Sequence, residues 1–307
     1  MTPPLTDAEL AASLDGGFTS AHADVNGVRL HYVAGGGQGT PLILLGGWPQ
    51  TWWQFHKIMP ALAAEHRVVA VDIRGQGGSA KPADGYDKRT MAADVHALIR
   101  HLGYEQADVA GHDIGGMVAE AVAALYPDTV RRLVVLDVPH PDESVLSLPL
   151  LPQGDQDAGI TGAEQGPGTA YLWWFAFNQV PGLPEALLEG RERVLVDWLC
   201  RYMLRDQASI DDDAREVYAR ALAAPGAVRA GNAWYQAFVQ DVADLAEYPP
   251  LSAPVLGLAC PGNMPLIRGG LAERAADLTV AEVPDSGHYL PEEQPEFVAD
   301  SMLRFLR

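Results

Sequence analysis

Cysteine is nearly absent from this chain of 307 residues: only Cys200 and Cys260 occur. Two thiols exclude a disulfide framework and any Cys-rich zinc site, and they suit a reducing, cytoplasmic setting. Positive charge is also scarce. Lysine occurs only at Lys57, Lys81 and Lys88, and 21 Lys and Arg face 40 Asp and Glu, a net charge of −19. Such a surface repels phosphate backbones, which excludes a nucleic-acid partner and a polybasic membrane patch. No apolar run approaches the ~18 residues that span a bilayer. The opening segment MTPPLTDAELAASLDGGFTS lacks the basic and apolar regions of a secretion signal, so a cytoplasmic protein without a membrane partner is expected. Internal repeats are missing. The length allows two domains, or one large domain with an insert, at roughly 150 residues per domain.

What the chain does contain is an alternation of strands and helices. Asn26-Gly27, between AHADV and VRLHYV, is the dipeptide of a type I′ hairpin. Apolar strands are predicted at Pro41–Leu45, His66–Val71, Ala107–Ala110 and Val130–Leu136. Helices are predicted at Trp52–Leu62, about Lys88–Leu102, and directly after Asp113, where Ile114, Met117, Val118, Ala121, Val122 and Leu125 form one stripe. Continuous apolar strands alternating with helices mean a mostly parallel sheet covered on both faces. From Pro139 to about Pro250 only helices and loops are legible, with Leu148–Gly168 loop-like and many aromatic residues. Strands at Pro254–Ala259 and Leu278–Val283 then resume the pattern, with helices near Leu266–Ala276 and Pro295–Leu306. The expected division is a core of residues 1–138 and 251–307 with a helical lid of residues 139–250. An insert at the carboxyl end of a strand lies over the place where such sheets bind ligands.

Gly111-His112-Asp113-Ile114-Gly115 has the strand–Gly-x-nucleophile-x-Gly–helix form of a nucleophile elbow, with Asp113 where serine is usual. Read in isolation, Asp113 is more often a helix cap than a nucleophile. Its context favours chemistry. Asp137 ends the next strand, and His288 lies on a loop after the last one, so nucleophile, acid and histidine follow in the order of the α/β-hydrolase triad. The competing readings are a turn former for Asp137 and a surface residue for His288. Gly46-Gly47-Trp48-Pro49 follows the third strand, which makes the Trp48 and Ile114 N–H groups the candidate oxyanion donors. Arg74, in DIRGQGGS, reads as a loop anchor. Gly35–Gly39 reads as a loop that does not fit a dinucleotide fingerprint, and no cofactor or metal is implied.

On these residues the chain resembles the epoxide hydrolases and dehalogenases of the α/β-hydrolase superfamily, in its Asp-nucleophile branch, over nearly its whole length. GHDIGG resembles the family's elbow, DIRGQGGS its loop after the fourth strand, and SGHYLPEEQPE its histidine loop. The resemblance implies an eight-stranded, mostly parallel sheet with a helical lid inserted after the sixth strand. RAGNAWYQAF resembles the lid segment whose tyrosine donates to the epoxide oxygen, which assigns that role to Tyr235. Three departures stand out. The family's His-Gly-x-Pro segment reads Gly46-Gly47-Trp48-Pro49, without the supporting side chain. The segment after the seventh strand, Ala259–Asn263, has no carboxylate, which leaves Asp137 as the acid. The second lid tyrosine is replaced by Trp174, with Trp173 beside it; either indole N–H can donate, and the other serves packing.

The leading expectation is therefore an epoxide hydrolase acting through Asp113, His288, Asp137 and Tyr235 on a large apolar epoxide, of the aromatic or polycyclic kind, and water. Trp173, Trp174, Trp234, Phe177 and Tyr235 are the expected substrate contacts. A homo-oligomer is left open. The runner-up is a dehalogenase, against which stand Ile114 and Met117 where a haloacid enzyme carries arginines. A non-catalytic binding protein on the same fold is the third reading. Scarce lysine beside frequent arginine hints at a GC-rich bacterial genome and a place in secondary metabolism.

Overall fold

The computed structural model describes residues 6–147 and 172–307, so the loop expected at Leu148–Gly168 lies outside the described residues. Eight strands form one sheet: β1 Thr19–Val25, β2 Val28–Gly36, β3 Pro41–Leu45, β4 Arg67–Asp72, β5 Ala107–His112, β6 Val130–Leu136, β7 Val255–Ala259 and β8 Leu278–Glu282. Their order is β1-β2-β4-β3-β5-β6-β7-β8. β2 pairs antiparallel with β1 and β4, and every other pairing is parallel. Asn26 and Gly27 both have positive φ, 45° and 74°, as the predicted hairpin requires.

Before the lid the helices are α1 Asp7–Ala12, α2 Met59–Ala63, α3 Lys88–His101 and α4 Ile114–Leu125. The helix predicted over Trp52–Leu62 is instead a short 3-10 turn, Trp52–Phe55, followed by α2. Pro60 sits in the first turn of α2, the place where a missing N–H costs nothing and a new helix starts. The predicted loop from Gly35 also differs, because β2 runs through Gly36. Gly35 packs on Phe18, whose ring occupies the space of a side chain at 35.

Period-two alternation divides the core between the two faces of the sheet. Along β3, Ile43 and Leu45 pack into one layer, with α3 and α4, while Leu42 and Leu44 pack into the other, with α2 and the C-terminal helix. All four are fully buried, so truncating any of them to Ala costs about 2–5 kcal/mol.

The described lid helices follow β6: α5 Trp173–Phe177, α6 Leu183–Leu188, α7 Glu192–Met203, α8 Asp212–Leu222, α9 Ala227–Gln236 and α10 Phe238–Leu245. After β7 come α11 Met264–Ala272, α12 Leu290–Glu293 and α13 Pro295–Leu306, the first of them earlier than expected. Lys88, fully buried on α3, ties the lid to the core. Its ammonium pairs with Asp241 at 2.8 Å and donates to the Trp234 carbonyl at 2.9 Å. Removing either charge leaves the other buried alone, a loss of about 3–5 kcal/mol. No helix among the described residues is long and apolar enough to cross a membrane.

Candidate active site

Asp113 joins β5 to α4 at φ 52°, ψ −124°, a conformation a non-glycine residue rarely adopts. Glycines make the turn fit. A side chain at Gly111 would collide with the Gly115 backbone, and one at Gly115 with the Leu45 backbone. The elbow thus lifts Asp113 to the carboxyl end of the sheet, where its carboxylate accepts the Trp48 N–H at 2.9 Å and also the Ile114 N–H. Burial raises the Asp113 pKa above the ordinary carboxylate value, although His288 and the two N–H groups pull it down.

Asp137, at the end of β6, is fully buried and also has positive φ. Its carboxylate accepts His288 Nδ1–H at 2.7 Å, Asn263 Nδ2–H at 2.7 Å and the Cys260 N–H at 2.9 Å. Burial on its own would lower the His288 pKa; the Asp137 hydrogen bond and charge, aided by Asp113, turn the shift upward. His112 holds the same loop from behind. Its Nε2–H donates to the His288 carbonyl at 2.7 Å, and burial keeps the ring neutral by pushing its pKa down to about 3.

Above these groups lies a cavity of ≈150 Å³ that Asp113, His288, Trp48, Tyr235, Trp174 and Asn263 all line. Met117, Leu172, Phe175, Met203 and Phe238 supply apolar wall. Asp113, Asp142 and His288 are its ionisable carboxylates and imidazole besides His140, and no Arg or Lys lines it among the described residues. Burial and the Asp113 charge push the Tyr235 pKa well above its ordinary value, while the Trp174 side chain, hydrogen-bonding to the phenol, works the other way. Tyr235 is therefore a protonated donor at neutral pH.

The fold brings Asp113, Asp137, His288, Tyr235, Trp48 and Ile114 into one constellation, and it separates the two lid indoles. Trp174 lines the cavity. Trp173 turns away to pack on Phe177 and Trp198, with its indole nitrogen buried and unpartnered. Phe177 goes with it and does not line the cavity. Trp234, also expected to touch substrate, instead donates its indole N–H to the Arg74 carbonyl at 3.0 Å, beside a small separate void. Its neighbour Tyr235 projects from another side of the same helix. Arg74 is an anchor, held on Asp94 by two hydrogen bonds of 2.7 and 2.8 Å. Asn263 carries no signal in the sequence, because the place after β7 is marked by a carboxylate where the acid sits there; here an amide that donates to the Asp137 carboxylate occupies it. Phe175 and Phe238 do not stand out in the sequence, because aromatic residues crowd this whole segment.

A family model described as alpha/beta hydrolase fold matches residues 40–158. The soluble epoxide hydrolase of Corynebacterium sp. (strain C12) is 35% identical over 293 residues, covering 94% of this chain and 97% of that protein. A fluoroacetate dehalogenase of Burkholderia sp. is 28% identical over 307 residues, covering 94% of each. The crystal structure of wild-type Cfl2 from Burkholderia cenocepacia aligns with a TM-score of 0.85 at 37% identity, over 95% of this chain and 96% of that one. With this fold and these full-length relatives, the chain belongs to the α/β-hydrolase superfamily, in the branch of epoxide hydrolases and fluoroacetate dehalogenases, and it is a hydrolase.

Proposed function

We propose that the protein opens an apolar epoxide to a diol through a covalent alkyl ester on Asp113. The observation that carries this reading is the Tyr235 phenol, accompanied by Trp174, lining the same apolar cavity as the Asp113 carboxylate. An Asp113 oxygen bonds to an oxirane carbon. The carbon–oxygen bond breaks, and the freed oxygen takes the Tyr235 proton. His288, oriented by Asp137, then removes a proton from water as the water oxygen adds to the ester carbonyl. The resulting oxyanion is held by the Trp48 and Ile114 N–H groups. Collapse releases the second alkoxide, which takes the proton from His288. The new carboxyl of Asp113 returns its proton to the Tyr235 phenolate, so epoxide and water become diol with nothing left over.

Dehalogenation is the second reading, favoured by the Trp174 indole, which can donate to a halide. The lack of a lining guanidinium or ammonium among the described residues counts against a haloacid, whose carboxylate needs one.

The test is to trap the ester. In His288→Ala the first step should proceed and the second stop, so the protein gains the full mass of an epoxide. A haloalkane or haloacid would instead add its mass less hydrogen halide. Intact-protein mass spectrometry reads both. A folded variant that binds an epoxide hydrolysed by the wild type, yet gains no mass, rules out the covalent route; no turnover of either class by the wild type points to a binding protein.

A further inference from the structure

The turn that carries the Trp48 N–H has no side chain of its own to hold it at its first position, Gly46. The structure places two buried glutamines there instead. A Cβ added to Gly46 would lie 2.8 Å from Gln54 Nε2 and 3.1 Å from Gln76 Nε2. Gln76, on the loop after β4, is 3% exposed, and its hydrogen bonds are directed at the turn. Nε2 donates to the Gly47 carbonyl at 2.9 Å and to the Gln50 carbonyl at 3.0 Å. Its Oε1 accepts the Ile73 N–H at 3.0 Å, which fixes the amide against rotation. The two carbonyls flank Trp48 and Pro49, so one amide grips both ends of the segment whose N–H reaches Asp113.

The other side of the turn is tied down as well. The Gln50 amide donates to Glu292 Oε2, and Glu292 Oε1 accepts the Tyr218 hydroxyl of α8 at 2.8 Å. This second tie runs through the lid. Gln76 is the one that closes the turn within the core.

We infer that Gln76 is a positioning residue for the oxyanion site: its amide clamps Gly47 and Gln50 so that the Trp48 N–H points at the oxygen of Asp113 that becomes the oxyanion. The inference rests on the covalent reading above, and it makes a distinction between the two half-reactions. Charge leaves Asp113 during alkylation, so a donor on that oxygen is no help there. Charge gathers on the same oxygen when water adds to the ester, and there the donor acts. A misdirected Trp48 N–H should therefore slow ester hydrolysis and spare ester formation.

The experiment is single-turnover kinetics of both steps on the full chain, comparing wild type with Gln76→Met, Gln76→Glu and Gly46→Ala. Gln76→Met conserves volume and removes both donation and acceptance. Gln76→Glu keeps the acceptor for Ile73 and replaces the donor. Gly46→Ala leaves Gln76 intact and pushes the amides aside. Each should slow ester hydrolysis about tenfold to a hundredfold, below the ~10²–10³ that follows outright deletion of a donor, with ester formation little changed. The acid limb of ester formation should also move to higher pH, because a carboxylate that loses an N–H partner becomes harder to ionise. Thermal melting checks folding of each variant, and Gly46→Ala stands in if the Gln76 variants do not fold. Equal loss in both steps, or unchanged hydrolysis in a folded variant, overturns the assignment. Wild-type protein that turns over an epoxide without forming any ester overturns the covalent reading, and this inference with it.

Discussion

Two histidines in this chain hold a buried aspartate at 2.7 Å through Nδ1: His288 with Asp137, and His31 with Asp72. The likeness goes further, since His31 Nε2 lies 2.9 Å from the Ser20 hydroxyl, completing a serine–histidine–aspartate relay by distance. The surroundings differ. Ser20 lies in regular antiparallel pairing on the edge strand β1. Asp113 stands on a strained elbow, with two backbone N–H groups on its carboxylate and an apolar cavity in front of it. Asp72, meanwhile, also accepts the backbone N–H groups of Trp52 and Gly78, at 2.8 and 2.9 Å, so the His31–Asp72 pair knits β2, β4 and their loops together. A histidine oriented by a carboxylate is a base in waiting. It becomes part of a site only where a reacting atom has room beside it and developing charge has donors.

The largest effect should come from exchanging the two nucleophile candidates. Asp113→Ala should lower turnover by about 10⁴-fold or more, because the residues of such a unit act together. Ser20→Ala should leave turnover unchanged. Steady-state assays on an epoxide panel decide, and activity lost in the Ser20 variant would break the comparison.

The two acids should separate next. Asp137→Asn should slow ester hydrolysis by about 10⁴-fold, the scale seen when a triad acid loses its charge and the histidine its orientation. Rapid-quench kinetics measure this step directly. Asp72→Asn should instead destabilise the fold by about 1–3 kcal/mol in denaturant melts, through hydrogen bonds left unmade, with turnover per folded molecule preserved. Should Asp72→Asn impair chemistry in the folded protein, the pair would be more than a brace.

Tyr235→Phe removes one hydroxyl that only the cavity pair employs. Ester formation should slow by roughly 10²–10³-fold, with ester hydrolysis less affected. Trp174→Phe should do the same on a smaller scale, whereas Trp173→Phe should leave both steps near wild type, since Trp173 does not line the cavity.

The smallest effects are in pH dependence. Burial opposes the charge on His31, but the Asp72 hydrogen bond and charge outweigh it and raise its pKa above the ordinary histidine value. The folded state thus binds the proton more tightly than the unfolded chain. The stability this confers is fully present below the unfolded value near 6.5 and is lost as pH rises through the higher folded value. Melts from the acid side of 6.5 upward should show this loss, and Asp72→Asn should remove it. The His288 pKa is raised too, but there the readout is chemical: ester hydrolysis needs the neutral imidazole, so its rate should rise with pH through a midpoint above the ordinary histidine value. A midpoint that stays put in Asp137→Asn would argue against Asp137 as the cause.

Much of the fold was legible because its signals are local. Buried parallel strands need continuous apolar runs, and β3, β4 and β7 supply them. The elbow needs glycine wherever strand and helix backbones touch, and Gly111 and Gly115 mark those points in the sequence. Boundaries were less legible. Pro60 reads as a break only when the turn before it is known to be 3-10, and β2 continues over Gly35 and Gly36 because Phe18, distant in the chain, packs on it.

By itself the sequence determined the class of sheet, the elbow and the order of Asp113, Asp137 and His288, since each depends on residue types at short range. Only the tertiary structure decided which aromatic residues line the cavity. Trp173 and Trp174 are neighbours of identical chemistry, as Trp234 and Tyr235 are neighbours of similar size. A helix sends successive residues about 100° apart, so adjacent side chains face different surroundings, and which one meets the cavity depends on how α5 and α9 are packed against the core. The same holds for the histidine pairs. His31–Asp72 and His288–Asp137 share one local geometry, and it took the positions of Asp113, Trp48 and Tyr235, drawn from the elbow after β5, the turn after β3 and α9, to set them apart.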